Sequence, residues 1–398
     1  MFIYTGVIGF VDVAACSLGI WAYVVYTGDS PALPRGLVSG FLLVCTFTLR
    51  RYFFFFALSF GAAAFAVKLL FFRKDWTDFL ALFLSCGVCT VSFMYAFLLE
   101  KVLGTNYGDL YSAYALGVHT DFLLVFRYFG WIFLATLGIA CLVLLTKPAA
   151  RAPVCLGMIQ VLLCFGTFVL IQTHGQQHLL LYVPGLALLA VTVFELLPAT
   201  IPCLILAAVT TVNCCIPKAQ PGSISEIPGF APLPSFHFYG TRRSDAGELV
   251  ALADFVDDLS TERPCTAGVL SSSFTFNVEI LTNLRPSFSL PQPRHTTQII
   301  SSGEVDKRDA FNWEIANADY LIVGDPVQTH LGEENQQIVA LLAHWVLEGA
   351  GPGLAYQSLP QSFGLQNGAT VRIYQRTRDW TPEEFDMLSQ ALRSQYPA

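Results

Sequence analysis

Charged residues are scarce in this 398-residue chain, at 13% of the total, whereas soluble domains carry roughly 25%. Hydrophobic residues reach 54%, and the mean hydropathy is +0.55. The shortage of charge excludes a single soluble domain and predicts a polytopic α-helical membrane protein. The chain also lacks a basic tract, so the sequence gives no sign of a nucleic-acid partner.

Common active-site motifs are missing as well. The sequence holds no glycine-rich nucleotide loop, no nucleophile elbow and no H-E-x-x-H. Ten of the eleven cysteines fall in or beside apolar segments, which is typical of packing residues. Cys86 and Cys89 form a C-x-x-C, but no second pair or nearby histidine completes a metal set. We therefore assign no metal site and identify no cofactor, and leave a divalent cation open.

The charges that are present divide the chain into two parts. Residues 1–216 hold 18 of the 51 charged side chains and have a net charge of +2. Residues 217–398 hold the other 33 and have a net charge of −9. We predict a transmembrane helical domain over 1–216, a proline- and glycine-rich linker over 217–240 and a soluble α/β domain over 241–398.

A membrane span needs about 20 mostly apolar residues, and the first part predicts about seven or eight membrane segments. They lie near 2–27, 37–49, 52–72, 79–99, 122–146, 153–171, 179–194 and 196–216. Basic residues favour the cytoplasmic side. Placing Arg50-Arg51, Arg73-Lys74 and Lys147/Arg151 there favours a re-entrant hairpin over 52–72 and an extracytoplasmic 241–398 domain. The alternative is a single span over 52–72 with Arg50-Arg51 outside.

The predicted outside loops hold most of the polar chemistry. One covers 100–121, and the other, Q-T-H-G-Q-Q-H, covers 172–178. Ionisable groups at membrane depth usually line a cavity, so Arg127, His174 and His178 are candidates for binding an anionic head group. The two histidines are four residues apart and would share one face of a helix. The simpler alternative is a polar turn at the membrane interface. Asp12 is either a helix N-cap or a pocket residue.

The polar part reads as alternating helices and strands, which predicts a small α/β domain with a partly parallel sheet. Ser244 is the expected cap of a helix, and Thr381 with Glu384 forms a capping box. The other predicted elements are strands at 269–270, 320–323 and 371–374 and a helix over 336–347. The serines at 271–273 and Asp325 either form a ligand-binding edge or are ordinary turn residues, and we favour turns.

The order of these parts resembles one family. Many spans, the Q-T-H-G-Q-Q-H turn leading into Leu179-Leu180-Leu181-Tyr182-Val183-Pro184, two closing spans and an outside α/β domain look like the C-terminal half of the GT-C membrane glycosyltransferases. The nearest group is that of the protein mannosyltransferases and aminoarabinose-transferase-like proteins. Weaker likenesses are the Leu-Arg50-Arg51-Tyr52 step, the Ala318–Val323 strand and the Phe363–Gly368 ending.

The resemblance implies transfer of a sugar from a polyprenyl-phosphate carrier to an acceptor on the outer face of the cell membrane. It implies that His174, His178, Arg127 and Tyr182 contact the carrier phosphate. The family's catalytic carboxylate lies in a long loop after the first span, but here that loop is short and Asp29 is its one acid. Asp29 is therefore a weak candidate for the base, and we expect the catalytic half to be absent, through truncation, a split gene or degeneration. The chain would then be inactive alone unless a partner chain supplied that half. The alternative is a non-enzymatic transporter component or an envelope assembly scaffold.

Overall fold

The computed structural model describes residues 11–72, 75–97, 99–100, 104–194, 243–260, 263–284 and 297–395. These residues belong to two compact units, one helical and one built on a β-sheet, and each is described by itself. The predicted linker at 217–240 and the predicted segment at 196–216 lie outside the described residues.

Apolar helices make up the described part of the first unit. They are α1 (Asp12–Thr27), α2 (Ala32–Leu49), α3 (Phe53–Phe71), α4 (Thr77–Phe97), α5 (Val118–Phe129), α6 (Trp131–Leu144), α7 (Pro148–Phe168) and α8 (Val183–Phe194). Among the described residues, four helices are long and apolar enough to cross a membrane: α2, α3, α4 and α7. The count rises to five if the bent pair of α5 and α6 forms one span, whereas α1 and α8 are shorter apolar helices.

The stretch over 52–72 corrects one expectation. It is a single 19-residue helix, α3, and the predicted re-entrant hairpin is wrong. Phenylalanine, alanine and leucine fill this segment, and no proline interrupts it, so nothing in the sequence breaks the helix. Arg50-Arg51 precedes this helix and Arg73-Lys74, which lies outside the described residues, follows it.

Two glycines allow α2 and α4 to pack closely. A Cβ on Gly36 would lie 2.0 Å from the carbonyl oxygen of Asp78, and one on Gly40 would lie 2.5 Å from that of Leu82. Ser85 Oγ donates a hydrogen bond across the same contact to the carbonyl of Leu37 at 2.7 Å. The G-x-x-x-G spacing of Gly36 and Gly40 is a known signal for close helix contacts in membranes.

A buried ion cluster lies at one end of this bundle. Asp78 is 2% exposed, and its two carboxylate oxygens each lie 2.6 Å from a cation, one from Arg35 and one from Lys68. Arg35 also donates to the carbonyl of Gly28. We call the end of the bundle that carries Arg35, Lys68 and Asp78 the opposite end. The candidate site, described below, lies at the far end of the same helices.

The second unit contains a five-stranded sheet in its described residues. The strands are β1 (Thr266–Leu270), β2 (Gln298–Ser301), β3 (Tyr320–Asp325), β4 (Tyr356–Gly364) and β5 (Thr370–Arg376), in the order β2-β1-β3-β5-β4. β1 pairs in parallel with β2 and with β3, and β5 pairs antiparallel with β3 and with β4. The helices are α9 (Ala246–Asp258), α10 (Val278–Leu284), α11 (Gln337–Glu348) and α12 (Pro382–Gln395). The prediction of a partly parallel α/β domain is confirmed.

The local predictions for this unit mostly hold. The strands at 269–270, 320–323 and 371–374 lie inside β1, β3 and β5, and the predicted helix at 336–347 is α11. The capping box is confirmed by hydrogen bonds from the backbone N–H of Thr381 to Glu384 at 2.8 Å and from that of Glu384 to Thr381 at 3.3 Å. The cap of α9 is Asp245, so the choice of Ser244 is wrong by one residue.

Candidate functional site

A buried carboxylate fixes an arginine at the start of the helical bundle. Asp12 is the first residue of α1, is fully buried and faces the end of α2. Its two oxygens accept hydrogen bonds from Arg50 Nε at 2.9 Å and from Arg50 Nη2 at 3.1 Å, and it also accepts one from the hydroxyl of Tyr52. The N-cap of α1 is Val11 and not Asp12, so the pocket interpretation is the one the geometry supports.

The same tyrosine connects this ion pair to the histidine-bearing turn. The Tyr52 hydroxyl lies 3.5 Å from the carbonyl oxygen of Gln177, and its ring meets the imidazole of His178 edge-on at 4.8 Å between centroids. We call the end of the bundle that carries Asp12, Arg50, Tyr52 and the turn at 172–182 the site end.

A second buried carboxylate holds the turn itself. Asp121, in the first turn of α5, accepts a hydrogen bond from the backbone N–H of His174 at 2.7 Å, and His174 Nδ1 lies 2.5 Å from the same oxygen. The carboxylate is an acceptor, so Nδ1 carries the proton and Nε2 accepts from the hydroxyl of Tyr182. Asp121, His174 and Tyr182 are each 2% exposed or less, so their hydrogen-bonded chain is shielded from solvent.

The two histidines are placed differently from the expectation. His174 precedes the 3₁₀ helix Gln176–Leu181 and His178 lies within it, so they do not share one face of an α-helix. Both rings instead pack against Phe168, at centroid distances of 4.7 and 4.9 Å. Burial, with smaller contributions from the nearby His174 and Arg50, lowers the pKa of His178 to about 3. His178 is therefore neutral at physiological pH.

The structure brings together only some of the sequence-predicted site residues. His174 and Tyr182 are in direct contact, and His178 lies beside them. Arg127 is in the last turn of α5 and only 8% exposed. Asp29 is exposed in the loop after α1, at the opposite end from Asp12, and the 16-residue helix between them is about 24 Å long at 1.5 Å per residue.

Sequence reasoning missed the contacts of Arg50 and Tyr52 with Asp12 at this end. The signal that could have found them was the Arg50-Arg51-Tyr52 step itself. Under the favoured hairpin, these residues counted as cytoplasmic flanks. As soon as 52–72 is one helix, they lie at the same end as the histidine turn.

The three serines at the strand ends of the sheet unit take part in hydrogen bonds within the unit. Ser271 Oγ accepts from the N–H of Gly324, Ser272 Oγ accepts from Gln336, and Ser273 Oγ donates to Gln328. All three serines are buried. They therefore act as turn residues, which is the interpretation the sequence favoured.

The described part of the chain holds no group of three or more His, Cys, Asp or Glu residues placed to bind an ion. The described cysteines are all free thiols, while Cys203, Cys214 and Cys215 lie outside those residues. No family model matches the chain, and neither a curated protein nor a solved structure matches it.

Proposed function

We propose that this chain is the carrier-binding component of a membrane glycosyltransferase, and that it binds the phosphate of a polyprenyl-phosphate sugar at the site end. The observation that carries the proposal is the Asp12–Arg50 ion pair. The guanidinium of Arg50, whose side chain is 36% exposed, is oriented by two hydrogen bonds that it donates to the fully buried carboxylate of Asp12. Arginine is well suited to phosphate because its planar, always charged group presents several donors in a fixed arrangement.

The charge at this point favours an anion. Arg51 is exposed beside Arg50, so the pair leaves one net positive charge after Asp12 is counted. His178 is neutral because its pKa is lowered, so it adds no charge here. Its imidazole ring lies beside Tyr52 and can form hydrogen bonds. A lipid phosphate at the membrane surface would meet both.

The proposed reaction needs a base to accept the acceptor's proton. Asp12 and Asp121 are both buried and already hydrogen-bonded to Arg50 and His174, and Asp29 lies at the opposite end. None of the three is positioned at an open site. We therefore exclude these three acids, and we propose that a partner chain, which supplies the catalytic half, provides the base.

The distribution of basic residues supports one orientation of the helical bundle in the membrane. The opposite end is the more basic by sequence, with Arg35, Lys68, Arg73, Lys74, Lys147 and Arg151. Such residues favour the cytoplasm, which puts the site end outside. A crossing by the apolar stretch 196–216 would then bring the 241–398 domain to the same outer side. Seven or eight membrane crossings remain part of this proposal.

The test is a binding measurement on the full chain in lipid nanodiscs, with polyprenyl phosphate and the matching polyprenyl alcohol. We expect the phosphate to bind more tightly, and Arg50→Gln to remove most of that difference. Lys147→Gln, at the opposite end, is the matched control. Equal binding of phosphate and alcohol, or full binding by Arg50→Gln, would overturn the proposal and leave a transporter component or scaffold as the better account.

A second arm tests transfer. The chain is incubated with radiolabelled polyprenyl-phosphate sugar, with and without the product of any neighbouring gene. We expect transfer only in the combined sample. Transfer by the chain alone would refute the assignment of the base to a partner.

A further inference from the structure

Three tyrosines form a ladder in the loop between α4 and α5. Tyr107, Tyr111 and Tyr114 follow one another at intervals of four and three residues along a short helical turn (Tyr107–Leu110) and a 3₁₀ turn (Ser112–Tyr114). This spacing puts their side chains on one face. The Tyr107 and Tyr111 rings are stacked at 6.2 Å with 10° between their planes, and Tyr114 follows at 6.2 Å from Tyr111. All three are half-buried.

The tyrosine ladder is bonded directly to the histidine turn. The backbone N–H of Thr173 donates to the carbonyl of Tyr114 at 2.9 Å, and the N–H of Leu116 donates to the hydroxyl oxygen of Thr173 at 2.8 Å. Thr173 Oγ1 in turn donates to Asp121 at 3.3 Å. Tyr114 is thus hydrogen-bonded to the residue that directly precedes His174.

The chemistry of this surface fits a sugar. Aromatic rings present flat apolar faces that stack on the C–H faces of a pyranose, and sites for small polar ligands combine such rings with a few convergent polar groups. Asp109 is an exposed carboxylate on the same turn and can accept hydrogen bonds from sugar hydroxyls.

We infer that the tyrosine ladder, with Asp109, binds the sugar of the lipid-linked substrate while Arg50 holds its phosphate. The inference rests on the proposed function and extends it, because it assigns the part of the ligand that the arginine does not recognise. Tyr107, Tyr111 and Tyr114 are then binding residues, and the bonds through Thr173 fix their position relative to the imidazoles.

The experiment compares two lipids on the full chain in nanodiscs: polyprenyl phosphate without a sugar, and the same lipid carrying one hexose. We expect the hexose to increase affinity in the wild type. Tyr111→Ala should lower the affinity for the hexosyl lipid about three- to tenfold, which is the range expected for one lost aromatic contact. The affinity for the sugar-free lipid should not change. Tyr111→Phe keeps the ring and should bind as the wild type does.

Tyr95→Ala is the matched control. Tyr95 is an exposed tyrosine near the C-terminal end of α4, before the loop that carries the ladder, and it is not part of the ladder. Tyrosines also anchor helices at membrane interfaces. If Tyr95→Ala and Tyr111→Ala weaken both lipids alike, the ladder is such an anchor and the inference is refuted. Equal wild-type affinity for the two lipids also refutes it while the proposed function stands. Binding of neither lipid refutes both.

Discussion

Asp121 holds His174 at two points, accepting a hydrogen bond from its backbone N–H and contacting its Nδ1 through the same oxygen. One carboxylate thereby fixes both the chain direction and the ring orientation of the turn. Each of the following expectations tests one of the interactions that shape this end of the bundle or the sheet unit.

Asp121→Ala should loosen the histidine turn. The substitution leaves the backbone N–H and the Nδ1–H of His174 without their buried acceptor, and each buried donor left unsatisfied costs about 1–3 kcal/mol. Thermal unfolding in detergent measures this loss. Asp109→Ala removes an exposed carboxylate from the neighbouring loop and serves as the control. Equal stability of the two variants would show that Asp121 does not hold the turn.

Asp12→Asn should weaken the fixed position of Arg50. An amide offers one acceptor where the carboxylate offers two charged ones, so we expect a loss of about 2 kcal/mol, below the 3–5 kcal/mol of a fully buried pair because Arg50 is partly exposed. Combining Asp12→Asn with Arg50→Gln gives a double-mutant cycle. Strictly additive losses would mean that the two side chains do not stabilise each other.

Gly36→Ala should disrupt the contact between α2 and α4. Its Cβ would lie 2.0 Å from the Asp78 carbonyl oxygen, so the helices must separate, at a cost of about 1–3 kcal/mol. Gly61→Ala is the matched control because nothing lies within 4 Å of its Cβ. There the added methyl should be neutral or stabilise α3 by up to about 1 kcal/mol. A control that destabilises as much as Gly36→Ala would contradict the packing.

Stability should depend on pH through His178. Its pKa is about 3 in the folded protein, below the ordinary value of 6.5, so the unfolded chain binds more protons between these values. The free energy of unfolding should therefore fall as the pH is lowered from 6.5 towards 3. His178→Asn should flatten this part of the profile. An unchanged slope in the variant would show that another group titrates there.

Glu384 should give the sheet unit a different acid dependence. A hydrogen bond from Arg378 lowers the pKa of Glu384 below its ordinary 4.5, and so its contribution is present above that value and is lost as the pH falls through the folded pKa. Glu384→Gln in the full chain should reduce the stability of α12 at pH 7 and flatten its loss in acid. Asp386→Asn, on the same helix, is the control. Hydrogen exchange of the α12 amides measures both.

The sequence was most informative where one local signal decides the structure. Hydropathy identified the apolar helices, and the capping box at Thr381 and the buried strand at 320–323 appear where they were predicted. β2 was missed because it has only four residues. β4 was missed because Pro360 and a register irregularity between Ser358 and Ser362 break its alternation.

The candidate site depends on long-range contacts that a single sequence does not show. Asp12 meets Arg50 across 38 positions, and Asp121 meets His174 across 53. Spacing alone placed His174 and His178 on a helix face, but the chain there runs through a turn into a 3₁₀ helix. The charge rule for basic flanks favoured a hairpin, and the uninterrupted helix-forming sequence of α3 prevailed over it.

The break at Gly130 bears on how the proposed lipid ligand would reach the site end. Its φ of 80° is a conformation that glycine adopts without strain, and it turns α5 away from α6 by 91°. If α6 stands upright in the bilayer, α5 runs parallel to the membrane plane with Asp121 near its start. A long-tailed molecule would then approach sideways, by diffusion within its own leaflet, and its hydrocarbon would never have to enter water.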